Sequence, residues 1–433
     1  MDRAGGISHR NFVMLAGCSL IATAAVIGGA LTGGGFSAAA ALAAALEANP
    51  VTDAATDAAG DTSIPDLESA TLGPGGPTAG PSAGPSSGAP PASDPTTTPT
   101  TTTDTTTPPP PPPPPPATGP FGHVFVVSLT SPGYDNAFGE ESEMPYLADT
   151  LRPQGVLLSG YELLHDKGLP NLIGMTSGQR PNADTEEDCS TYSEFPSKAK
   201  PDEDTGLVDG DGCIYPATML SVADQVAATG RTWRGYIEGM ANDAGPANCV
   251  RPTPNGPDET ERTTNGVYAA RHNPFIYYHS LIDLGSCTAG DIPGDQLLKD
   301  LKSESTTPAY SFIAPNLCHS GVERACSGDG PDGAAAADAY LSELVPKILK
   351  SAAYKKDGLL IVTFDELAAS AKDEDGPVGT VAVSGQSTPG ATLAGKYTPY
   401  SLLRSTEDSL GLSALASAVK ADSFADDIVN GGD

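Results

Sequence analysis

The chain of 433 residues carries 54 acidic and 23 basic residues, a formal charge of −31. Only nine of those acids and two of those bases precede residue 118, so the remainder is itself strongly acidic, at −24. Such a surface repels polyanions at long range, which argues against nucleic acid and anionic lipid head groups as partners and fits a secreted or high-salt setting.

No charged residue occurs between Arg10 and Glu47. The apolar stretch Asn11 to Leu31 is long enough to cross a bilayer as one helix, and Arg3 and Arg10 before it favour an inside amino terminus. Residues 1–46 are therefore expected to be a membrane anchor. A cleaved signal segment is the second expectation, because the Ala-rich region after Phe36 offers small-residue cleavage sites. The string Leu15-Ala-Gly-Cys18 makes a lipid-modified Cys18 the third. Residues 47–118 are rich in Pro, Gly, Ser and Thr and end in nine consecutive prolines, Pro108 to Pro116. That composition cannot bury a core and predicts a disordered linker with a stiff polyproline rod, a stalk suited to lifting a domain through a cell wall.

From Pro120 the pattern changes to short apolar runs alternating with helical periodicity, which predicts one α/β domain over 119–433. Strands are expected at 121–129, 155–161, 232–237, 309–314, 358–364 and 379–384. Helices are expected at 143–151, 171–178, 218–229, 293–303, 334–351 and 400–412. The run Gly358-Leu-Leu-Ile-Val-Thr-Phe364 reads as a strand buried on both faces, and it delivers Asp365 and Glu366 at its carboxyl end. Open α/β sheets bind ligands there, and buried carboxylates are costly unless satisfied, so this pair is the prime candidate for metal ligation.

Apart from Cys18 there are six cysteines: Cys189, Cys213, Cys249, Cys287, Cys318 and Cys326. An even set after an export segment predicts three disulfides. Sequence neighbours favour 189 with 213, 249 with 287 and 318 with 326, among the fifteen connectivities six cysteines allow. None has zinc-site spacing. The acidic clusters Asp202-Glu-Asp204, Asp209-Gly-Asp211 and Asp373-Glu-Asp375 raise a calcium reading, although none fits an EF-hand loop, and solvated loops are the simpler account.

Several blocks together carry a family resemblance: His123-Val-Phe-Val-Val-Ser-Leu129, Leu169-Pro-Asn171, Trp233 to Met240, Arg271-His-Asn-Pro-Phe275, Ser311 to Cys318, the 358–366 strand and Tyr400-Ser-Leu-Leu-Arg404. In this order they resemble the secreted bacterial phosphoesterases of acid phosphatase, phosphatidylinositol phosphatase and phospholipase C type, in the alkaline-phosphatase-like superfamily. The resemblance implies a central, mostly parallel sheet flanked by helices. It also implies a metal centre, and here the implied positions are substituted. Thr130 and Ser131 stand where the family has acidic and amide ligands, Gly168 stands at the nucleophile, Ser320 and Val322 replace an acid and a histidine, and Pro399 replaces a late histidine. Asp365 and Glu366 remain, as vestigial ligands.

The same resemblance places Asn171 and His272 in the pocket, with a structural histidine as the alternative for His272. Thr176 and Ser177 are weak replacement nucleophiles, more than a helical turn from the motif. Arg234 and Glu238 are expected to form a structural ion pair. No cofactor is expected, and a divalent cation only if the domain is active. The expectation is a catalytically degenerate, membrane-anchored surface domain with a binding or structural role and an unknown ligand. An active metal-dependent phosphoesterase is the alternative. No local source of positive charge for a phosphoryl group is evident.

Overall fold

The structure, a computed structural model, describes residues 119–430 apart from 243–244, 264–265, 325, 327–329 and 372–375. The expected anchor, the linker and the acidic loop at 373–375 lie outside these residues. Among the described residues, no helix is long and apolar enough to cross a membrane.

Among the described residues ten strands are present: β1 His123–Ser131, β2 Val156–Leu158, β3 Trp233–Ile237, β4 Ala241–Asn242, β5 Gly245–Pro246, β6 Asp291–Pro293, β7 Tyr310–Ala314, β8 Gly358–Leu367, β9 Thr380–Ser384 and β10 Ala391–Leu393. Eight build one sheet in the order β10-β2-β9-β8-β1-β7-β3-β6, and β4 with β5 forms a separate two-stranded ladder. The main sheet is mixed. Strand β9 runs antiparallel to both β2 and β8, whereas the other pairs are parallel.

The centre of the sheet follows from the sequence. Every residue of β1 and the first eight of β8 are buried, as continuous aliphatic runs require when helices cover both faces. All six expected strands are found. The edges β6 and β10 were not expected, because three residues are too few to show a period of two.

The helix Gly168–Ser177 packs on β8 and on the helix Pro399–Leu410. Each of these helices ends at a left-handed glycine, Gly178 (φ 71°) and Gly411 (φ 66°), which needs no Cβ there and closes the last turn. The helix Gly333–Lys350 packs on β1, and its Asp338 carboxylate accepts the amides of Tyr146 and Leu147 at 2.9 Å, capping the turn at 146–151.

Three disulfides link Cys189–Cys213, Cys249–Cys287 and Cys318–Cys326, the pairing favoured from sequence. Bridged cysteines of this kind belong to oxidising compartments, as in an extracytoplasmic domain.

Candidate functional site

Strands β1 and β8 run in register to Leu129 opposite Phe364. A bulge follows, after which Thr130 faces Glu366 and Asp365 is the extra residue. Bulges re-aim side chains at sheet ends, and here the irregularity falls at the two consecutive carboxylates.

Glu366 is held. Thr130 Oγ1 donates to its Oε1 at 2.9 Å, and His272 Nε2 lies 3.4 Å from the same oxygen. Burial opposes ionisation of Glu366, but His272, Arg271 and the Thr130 hydroxyl outweigh it and hold the carboxyl well below its ordinary range. Burial likewise pulls on His272, and the neighbouring carboxylate holds it above its ordinary value. Asp365 behaves oppositely. It is 3% exposed, its Oδ1 has no hydrogen-bond partner, and burial pushes its carboxyl up.

Gly168 opens the helix Gly168–Ser177 against this carboxylate. A Cβ placed on Gly168 would stand 3.5 Å from Glu366 Oε2 and 3.8 Å from its Cδ, ordinary van der Waals contact. The implied nucleophile position and the surviving acid are thus neighbours, and the position carries no attacking atom.

Around them lies a cavity of about 420 Å³ lined by Thr130, Val322, Glu366, Lys167, Arg271 and a set of acids, Asp166, Glu187, Asp188, Asp258, Glu261 and Glu323. Two of its features were not expected. Lys167 and Arg271 do supply positive charge, which corrects the expectation that none is nearby. Both are already engaged, Lys167 Nζ 3.5 Å from Asp188 Oδ2 and Arg271 paired with Glu261. Arg271 could have been found, since it precedes His272 in a block already singled out; the acids come from separate loops whose meeting is invisible in one dimension.

Other expected positions serve the fold. Asn171 does not line the cavity. Its Nδ2 lies within hydrogen-bond distance of the carbonyls of His165, Lys167 and Asp365 at 2.6 to 2.8 Å, and its Oδ1 accepts the Leu164 amide at 2.7 Å, so it pins the loop before the helix to the end of β8. Ser131 Oγ accepts the Gly133 amide. The Ser320 carbonyl accepts the Thr130 amide at 2.7 Å, while Ser320 Oγ is buried without a partner.

Pro399 starts its helix, packed against Gly174. Thr176 and Ser177 are fully buried and bond back to Leu172 and Ile173 carbonyls, which removes them as nucleophiles. The expected Arg234–Glu238 pair does not form. Glu238 instead meets His319 Nδ1 at 2.9 Å and the Asn316 amide at 3.0 Å, and Arg234 bonds the Trp233 carbonyl. Of the acidic clusters, Asp202 is satisfied by the amides and hydroxyl of its own turn, and Asp211 by the Ala183 amide.

A hydrolytic divalent cation needs three or more convergent ligands and an open position. Among the described residues, three ligand-type atoms come within 4.8 Å of one another only at Cys249, Cys287 and Asp291, and those cysteines are bridged. Asp365, Glu366 and His272 do not converge in this way. With Glu366 occupied by Thr130, these residues do not fit such an ion.

Residues 167–370 match the model of the Phosphoesterase family. No curated protein matches the chain. Among solved structures, a protein in the alkaline phosphatase superfamily from Vibrio parahaemolyticus is 12% identical, covering 70% of this chain and 70% of that one with a TM-score of 0.42. The phosphonate monoester hydrolase SpPMH from Silicibacter pomeroyi is 11% identical, covering 71% and 77%, with a TM-score of 0.42. The lipoteichoic acid synthase LtaP from Listeria monocytogenes is 12% identical, covering 69% and 76%, with a TM-score of 0.38. Likenesses this distant carry no argument about the site.

Proposed function

We propose that this chain, whose residues 167–370 match the model of the Phosphoesterase family, is a membrane-anchored, extracytoplasmic domain of that alkaline-phosphatase-like fold whose hydrolytic centre has degenerated. It retains a binding or structural role at the cell surface.

The observation that carries this reading is Gly168, seated against Glu366 where the family's attacking hydroxyl belongs. Nucleophile and metal act as a unit, and in a serine-protease triad loss of the nucleophile alone costs on the order of a millionfold. The second support is the fate of the carboxylates, Glu366 tied to Thr130 and Asp365 buried with its Oδ1 unpartnered. Lys167 and Arg271 do not restore the chemistry, because each already neutralises an acid. The anchor and stalk rest on the composition of residues 1–118.

Hydrolysis of an aryl phosphate by the full chain, with manganese, zinc, calcium or magnesium, is expected to stay at background. The Asp365→Ala, Glu366→Ala double variant should be indistinguishable from it. Gly168→Ser is expected to fold normally, since its Cβ meets nothing closer than 3.5 Å, and to remain inactive for want of the cation. Turnover in the unmodified chain that the double variant abolishes would overturn the proposal.

A further inference from the structure

The Cys249–Cys287 bridge has a carboxyl group beside it: both sulfurs and an Asp291 carboxylate oxygen lie within 4.8 Å of one another. Asp291 opens β6 and is fully buried. Its Oδ2 accepts Asn273 Nδ2 at 2.8 Å, and its Oδ1 has no hydrogen-bond partner. Room for that oxygen exists because β3 presents Gly235 there, where a Cβ would stand only 3.0 Å away. A buried, half-satisfied carboxyl beside a disulfide is costly and needs a reason.

The two sulfurs differ. Cys287 is 0% exposed, whereas Cys249 sits at 5% between the exposed residues Asn248 and Arg251. The Arg251 guanidinium donates to Cys249 Sγ at 3.2 Å and to its carbonyl at 3.3 Å. A cation beside one sulfur and an acid beside both is the arrangement that thiol–disulfide exchange uses, because the leaving sulfur needs a proton and the released thiolate needs a counter-charge.

We propose that Cys249–Cys287 is an exchange-competent disulfide in which Asp291 is the proton donor to Cys287 and Arg251 holds the Cys249 thiolate. A thiolate of a dithiol reductant attacks Cys249 Sγ, the S–S bond breaks, and its electron pair passes to Cys287 Sγ, which takes the Asp291 proton. The reductant's second thiol, after losing its proton to solvent, attacks its own sulfur in the mixed disulfide. The reductant leaves as a cyclic disulfide, and Cys249 is released as a thiolate beside Arg251. The protein gains two electrons and the dithiol loses two.

Burial, rather than any neighbouring charge, favours a proton on Asp291. Asn273 and Tyr268 face it from the 268–273 segment, Tyr192 lies near it from a neighbouring loop, and β3 contributes only glycine. Burial pushes the carboxyl up to about 7, the Asn273 hydrogen bond offsetting part of the shift.

The test is the rate at which dithiothreitol opens each bridge in the full chain, read by alkylation and peptide mass, and normalised to thiolate concentration between about pH 5.5 and pH 8.5. The Cys249–Cys287 rate is expected to fall as pH rises through neutrality. Asp291→Asn should remove that dependence and slow opening on the order of 100-fold near pH 6, with Cys318–Cys326 unchanged. Should Asp291→Asn fail to fold, the unmodified chain's profile and an Arg251→Gln variant, expected to open about tenfold more slowly, decide the matter. A flat profile in the unmodified chain, or opening at the rate of global unfolding in every variant, overturns the proposal.

Discussion

Replacing Asn171 by Ala is expected to lower the unfolding free energy by roughly 3–5 kcal/mol, since two or more buried groups would each be left unsatisfied at about 1–3 kcal/mol. Its side chain is completely buried, and its amide nitrogen is within reach of three main-chain carbonyls from His165, Lys167 and Asp365. Its oxygen takes the Leu164 amide. Alanine would strand several buried polar groups at once. The same substitution frees the end of β8, so His272 and Glu366 should lose their fixed separation as well. Denaturant unfolding with an unchanged m-value would measure the loss. A change below about 1 kcal/mol would show that Asn171 is not the pin between loop and sheet.

The second large effect is on pH dependence. Glu407 is fully buried with Oε2 unpartnered, and burial pushes its carboxyl up to about 9; burial raises Asp291 to about 7. For an acid whose folded value is raised, both states are neutral below the unfolded value and nothing is lost. As pH climbs past about 4, the unfolded chain ionises and the folded one does not, so stability falls until the folded value is reached. The losses therefore run from about pH 4 to about 7 for Asp291 and to about 9 for Glu407. Glu366, lowered in the fold, acts in the opposite sense but only below its ordinary range, where its stabilisation disappears as acid protonates it.

The domain should therefore be most stable in mild acid and weaken steadily toward alkali. Glu407→Gln is expected to flatten the alkaline part of the curve and add at least about 2 kcal/mol near pH 8, a discounted share of the 1.36 kcal/mol per unit. Thermal unfolding across this range would check it, and a melting temperature that rises from pH 5 to pH 8 would contradict it.

How much of this was legible in the chain depends on the kind of signal. The central strands announced themselves because residues buried on both faces need no partner to be recognised: Val124 to Leu129 and Leu359 to Phe364 are apolar throughout except Ser128 and Thr363. Gly168 was legible through its motif, and its place beside Glu366 comes from the packing of its helix on β8. The bulge was not, since one extra residue at Asp365 depends on how β1 and β8 pair rather than on either alone. Nor was the partner of Glu238. Arg234 is nearer in sequence, yet His319, at the end of a different strand-loop unit, takes the carboxylate. Asn171 sat in the right motif with the wrong role, because an amide that bonds only main chain looks in sequence like one that meets a ligand.

The most direct measurement is the divalent metal content of the full chain after equilibrium dialysis against zinc and manganese, beside the Asp365→Ala, Glu366→Ala double variant. Equal content in both, with no tightly held ion, is the predicted result. An ion bound stoichiometrically by the unmodified chain and lost with those two carboxylates would contradict the degenerate site.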